Sequence, residues 1–149
     1  MREILFRGKT TKKEEEIHTF HNVWVEGDLI KNREKWHIHP KSNCFRSEKE
    51  LAKCMIAHEV IPETVGQYTG LTDKNGKKIF EGDIVKDLGG SMDGIPRVVY
   101  WNEEWMEFEC YLVKKHWAYG TNCCRLWCIK DKELEVIGNK WDNPELLGE

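Results

Sequence analysis

A mainly-β fold is what this sequence predicts, and three observations carry that expectation. Apolar residues alternate with polar ones at period two, most cleanly where Met106, Phe108, Cys110 and Leu112 interleave with Glu107, Glu109 and Tyr111. Turn residues punctuate such runs along most of the chain. A glycine-rich hairpin pattern fills residues 67–85. Many short strands with regular turn signals describe a sandwich or a small barrel.

The elements follow in order. Ile4 and Phe6 alternate with Leu5 and Arg7 in a first strand, which Gly8 is expected to end. Residues 9–16 form a charged loop, and residues 20–25 a second strand. Glu26-Gly27-Asp28 reads as a turn, with Leu29-Ile30 opening a third strand. Trp36-His37-Ile38-His39 is a short strand with both histidines on one face, ended by Pro40. Ser47 followed by Glu50 has the form of a capping box, so one short helix is expected over residues 48–57. Pro62 breaks what precedes it. In Asp73-Lys74-Asn75-Gly76, Asp can bond back to the backbone and Gly can take positive φ. A type I turn with a bulge at Gly76 pairs Asp73 with Lys77 and Leu71 with Ile79, whereas a type I′ turn would set Leu71 against Phe80. Further strands are expected at 84–85, 98–101, 106–112, 126–129 and 134–137, with turns at 102–104 and 118–122. Asn143-Pro144 interrupts the tail, and Pro144-Glu145-Leu146-Leu147 can form one short turn.

Composition narrows the function classes. The chain has 149 residues, enough to bury a core in one domain or in a small domain with an extension. Seven tryptophans argue for an aromatic core or interface. A net charge of −3 gives no support to nucleic-acid binding, whose affinity comes largely from phosphate contacts. No apolar run approaches membrane-spanning length, and the first residues lack the apolar stretch of a signal peptide, so a cytoplasmic protein with no membrane partner is expected. The six cysteines are then reduced thiols. Cys123, Cys124 and Cys128 lack the second tight pair that a zinc site needs.

Catalytic signatures are missing: there is no nucleophile elbow, phosphate loop, zinc-protease helix or dinucleotide fingerprint. Cys110, Cys123 and Cys124 with His116 as base would need a convergence that the spacing does not supply. His18, His21, His37 and His39 are metal-ligand types, but rim histidines are far commoner. The expectation is therefore no catalytic residue, no metal and no cofactor. An aromatic block with interleaved cations, comprising Trp101, Trp105, Lys114, Lys115, Trp117 and Arg125, is the candidate binding surface. Its competing reading is barrel core or subunit interface.

Residues 25–32 echo residues 80–87: an apolar residue, Glu-Gly-Asp, two aliphatics, Lys, then Asn or Asp. The simplest account is a reused bend, glycine turning the chain and aspartate capping it. Paired carboxylates of Asp28 and Asp83 at one site are the functional alternative.

The hairpin carries more than turn chemistry. Gly66, Gln67, Tyr68, Thr69, Gly70, Asp73, Asn75 and Gly76, followed by Glu81, Gly82 and Asp83, resemble the signature of the YopX-like family of phage and prophage proteins. Arg2–Gly8, 25–30, Glu135–Asn139 and Asn143–Leu147 agree with it, while 31–60 and 101–128 carry no family motif. The resemblance implies a β-rich N-terminal extension over 1–60, an SH3-like barrel over 61–149, and self-association. It implies a phage or prophage accessory protein in the host bacterial cytoplasm, and it transfers no activity. The expected function is a non-catalytic homo-oligomer that binds another macromolecule of phage or host. The alternative is a small-barrel nucleic-acid-binding module. The motif residues are expected to serve as scaffold.

Overall fold

A computed structural model describes residues 3–11, 22–41, 56–88, 94–112, 123–125 and 133–148. The chain divides into two compact units, Met1–Gln67 and Tyr68–Glu149. The boundary falls inside strand β5, Gly66–Thr72.

In the first unit, β1 (Phe6–Lys9), β2 (Trp24–Asn32), β3 (Lys35–Pro40) and β4 (His58–Glu59) lie antiparallel. The first two residues of β5 add to the outer side of β1, Gln67 opposite Phe6 and Gly66 opposite Arg7. Alternation decides the buried face: Ile38 and Val60 are fully covered, while Asp28 and Ile30 on the other face of β2 are exposed. Gly8 does not end β1. It lies within the strand because Val60 Cβ and Ile38 Cδ1 sit 3.1 and 3.2 Å from where its own Cβ would be. A 3-10 turn at Pro62–Thr64 leads into β5, and Thr64 Oγ1 accepts the Lys9 N–H at 2.9 Å.

In the second unit, β5 continues and pairs with β6 (Lys78–Phe80). β7 (Asp83–Asp87), β8 (Pro96–Asn102), β9 (Glu107–Leu112), β10 (Cys123–Arg125) and β11 (Leu134–Asn139) form a second antiparallel sheet. Ile79, Val85, Val99, Phe108, Cys110 and Leu134 make its core, with Leu71, Trp101 and Val136 packed against it. Val85, Val99, Phe108 and Cys110 lie on one face of the sheet, as the period-two reading of these strands requires.

Several expectations change. The strands are mainly β as expected, but no sheet closes into the SH3-like barrel. The hydrogen-bonded orders are β4-β3-β2-β1-β5-β6 and β10-β9-β8-β7-β11, and in neither does the last strand return to the first. Closure requires the edge strands to meet. β10 and β11 stand at opposite edges, and β6 bonds β5 but not β7; the Gly82 N–H at the turn between them goes to Val99 O. The helix expected over 48–57 lies outside the described residues except for its last two, and no helix of seven or more residues occurs among the described ones. The expected turn at Glu26-Gly27-Asp28 is the middle of β2, and the chain reverses instead at Arg33-Glu34, with Arg33 at φ +54°. The expected strand at 126–129 and turn at 118–122 lie outside the described residues, while β10 occupies Cys123–Arg125.

Candidate functional site

The motif residues assemble around the β5–β6 turn, and the side chains of Thr69, Asp73 and Asp83 bond to nearby backbone. Asp73 N–H donates to Lys77 O at 2.8 Å and Gly76 N–H to Asp73 O at 2.9 Å, with Gly76 at φ +80°. Thr72 pairs with Lys78, the register that the turn residues favour. Upstream the register shifts, Gly70 takes φ +89°, and Tyr68 stands opposite Phe80, their rings 5.6 Å apart. Thr69 Oγ1 donates to Ile79 O at 2.8 Å across that irregularity.

Asp73 is 5% exposed. Its Oδ1 accepts from Asn75 N–H at 2.8 Å and Lys77 N–H at 2.9 Å, and its Oδ2 from Val136 N–H at 3.1 Å. Burial raises its pKa, but the backbone N–H groups of Lys77, Val136 and Asn75 and the Lys77 charge lower it and prevail, so it titrates below the ordinary aspartate range. One carboxylate thus holds the turn closed and fastens β11 to it. Lys74 N–H adds a bond to Leu134 O at 2.9 Å, and Lys74 Nζ an ion pair with Glu135 at 2.9 Å.

Gly82 occupies the second tight position, at φ +82°. A Cβ there would lie 2.2 Å from the Trp141 ring. Gly82 O accepts from Lys140 N–H at 3.0 Å, and Asp83, 1% exposed, accepts the Phe80 N–H at 2.7 Å. Gly138 in turn has Asn143 Oδ1 only 2.4 Å from where its Cβ would be. The central motif and the C-terminal landmarks are therefore one packed assembly.

The family model described as YopX protein matches residues 5–148. The chain belongs to the YopX family. YopX membership supports a phage or prophage protein with a non-catalytic role. A crystal structure of protein EF1440 from Enterococcus faecalis is similar at 25% identity, covering 62% of this chain and 69% of that one, with a TM-score of 0.38. No curated protein matches the chain. Among the described residues no group of three or more His, Cys, Asp or Glu side chains is placed to hold a metal ion. No helix there is long and apolar enough to cross a membrane.

The echo of the YopX motif in the first unit is not an echo in conformation. Gly27 is extended between β1 and β3, with His39 O 2.0 Å from where a Cβ would lie, so close strand approach requires glycine there. Asp28 is exposed and pairs with Lys41 at 3.7 Å, whereas Asp83 is buried on a backbone N–H. The two aspartates do different work.

Three members of the aromatic block are described, Trp101, Trp105 and Arg125, and they do not share one face. Lys114, Lys115 and Trp117 lie outside the described residues. Trp101 packs edge-on against Phe108, ring centroids 4.9 Å apart, on the core face of the second sheet. Arg125 stands opposite Glu109 and so on the other face, where its Nε lies 2.8 Å from Glu107. Trp105 is 61% exposed at the tip of the β8–β9 hairpin.

That other face holds a cluster not singled out in the sequence. Glu109, 5% exposed, accepts from Tyr100 Oη and from Asn102 Nδ2, the latter at 3.0 Å. The Tyr100 and Tyr111 rings meet edge to face at 5.4 Å. Asn102 Oδ1 accepts from Glu104 N–H and Trp105 N–H, closing the loop at 2.9 and 3.3 Å. The alternation of Glu107, Glu109 and Tyr111 was the available signal, since period two puts all three on one face. The cross-strand partners that complete the cluster depend on register, which that pattern does not state.

Proposed function

We propose that this YopX-family protein is a non-catalytic phage or prophage accessory factor acting by self-association and by binding another macromolecule in the host bacterial cytoplasm. The observation that carries this reading is a contrast. The buried Asp73 and Asp83 carboxylates of the motif accept backbone N–H groups, while Ile4, Ile56, Trp105 and Met106 are each more than 60% exposed. Trp105 and Met106 are consecutive, so they expose adjoining apolar surface, the kind that marks a contact site. Light scattering at micromolar concentration tests the first half. A mass above that of one chain is expected, and a monomer across the concentration range would overturn it. The nucleic-acid alternative gains no support from the β8–β9 hairpin, whose exposed loop carries Glu103 and Glu104.

A further inference from the structure

The β8–β9 hairpin ends in an apolar pair that the fold of the second unit leaves uncovered among the described residues. Trp105 is 61% and Met106 70% exposed, and they are consecutive. Met106 sits at φ +54°, a left-handed conformation that costs a side-chain-bearing residue about 1–2 kcal/mol. Asn102 fixes the loop by accepting two of its N–H groups, so the apolar pair is presented on a braced turn. Behind the tip, Tyr111 is 40% exposed and stacks edge-on against Tyr100.

Charge identifies the occupant. Glu103 and Glu104 flank the apolar pair and are exposed. On the adjoining sheet face Glu107 is in ion-pair contact with Arg125 and Glu109 is buried on Tyr100 and Asn102, so the exposed negative charge at the tip is that of Glu103 and Glu104. Exposed carboxylates beside the Trp105 ring suit ammonium or guanidinium groups, through charge and through the negative face of the ring. They repel phosphate. We propose that the end of the β8–β9 hairpin docks a lysine- or arginine-rich polypeptide segment carrying an apolar residue. Trp105 and Met106 cover the apolar side chain, and Glu103 and Glu104 pair with its cations. The proposal rests on the binding function proposed above and names the surface and the partner chemistry.

Fluorescence anisotropy tests it on the full chain with three labelled probes: Lys-Lys-Leu-Leu-Lys-Lys, the same peptide with Glu for Lys, and a single-stranded oligo-dT. The lysine peptide is expected to bind, with affinity falling as salt rises, and the other two are not. Glu103→Lys/Glu104→Lys and, separately, Trp105→Ala should each weaken the lysine peptide by about tenfold or more. Glu34→Lys/Glu63→Lys, which changes net charge equally at exposed sites elsewhere, should leave affinity within about twofold. Glu103→Gln/Glu104→Gln serves if charge reversal disturbs folding, judged by circular dichroism. No binding of the lysine peptide, equal binding by the tip variants, or preferential binding of oligo-dT would each overturn the proposal. Light scattering on the same samples separates this failure from that of self-association, since an oligomer that ignores the peptide refutes only the docking surface.

Discussion

Asp73 accepts three backbone N–H groups from two parts of the chain, so its replacement leaves three donors without their acceptor rather than one. Asp73→Ala should cost about 2–4 kcal/mol, measured by urea unfolding. Its lowered pKa gives the effect a pH signature. A carboxylate that titrates lower in the fold than in the unfolded chain contributes fully above the unfolded value, near pH 4, and that contribution disappears as pH falls through the folded value. Stability of the native chain should therefore fall more steeply than that of Asp73→Asn as pH drops from about 5 through the lowered Asp73 pKa. The glycines allow a second comparison. Gly76 and Gly82 share nearly the same positive φ, +80° and +82°, but a Cβ on Gly76 meets nothing within 4 Å and one on Gly82 meets the Trp141 ring. Gly76→Ala should cost about 1 kcal/mol, the conformational strain alone. Gly82→Ala should cost about 3 kcal/mol or more, because the indole must also move. Equal costs at the two sites would show that the Trp141 contact contributes nothing.

At the level of elements, what was legible was local. The β5–β6 turn was readable because Asp73 and Gly76 act on backbone within four residues of themselves, and the bulged register followed. The strands at 84–85, 98–101, 107–112 and 134–137 were readable because alternation is a property of the strand alone, while Met106, expected in the same alternation, lies in the β8–β9 turn at φ +54°. What depends on a distant partner was not. Glu-Gly-Asp is extended at 26–28 and turned at 81–83, since His39 O approaches one glycine and the Trp141 ring the other. The closed barrel came from family resemblance, and no periodicity reports which edges meet. The same limit hid the Glu109 cluster, whose Tyr100 and Asn102 come from the neighbouring strand. Burial, rather than distance, ranks two ion pairs. Asp87 and Arg97, on neighbouring β7 and β8, are both buried with a 3.6 Å approach. Asp87→Ala leaves the buried guanidinium without this partner and should cost about 3–5 kcal/mol. Lys74–Glu135 is shorter, 2.9 Å, but about a third exposed on each side. Lys74→Met should change stability by about 1 kcal/mol or less.

At the scale of the molecule, two compact units share one strand, and the N-terminal unit has buried groups of its own in Leu5, Ile38 and Val60. Units with separate cores can open separately, with free energies below that of global unfolding. Asp73 and everything it bonds lie in the second unit. Hydrogen exchange on Asp73→Ala can therefore measure how far the units depend on each other. Amides of Asn75, Lys77 and Val136 lose their acceptor and should exchange fastest, followed by the remainder of β11, which Asp73 fastens to the turn. Amides in β1, β2 and β3 should keep the protection they have in the native chain, because their ladders and the packing of Ile38 on Val60 and Gly8 are untouched. Loss of protection in β1–β3 equal to that in β11 would mean that β5 transmits the damage and that the chain unfolds as one cooperative block. Protection retained in β1–β3 would show that the loss stays within the second unit, which holds Asp73 and the β8–β9 hairpin proposed to dock a partner.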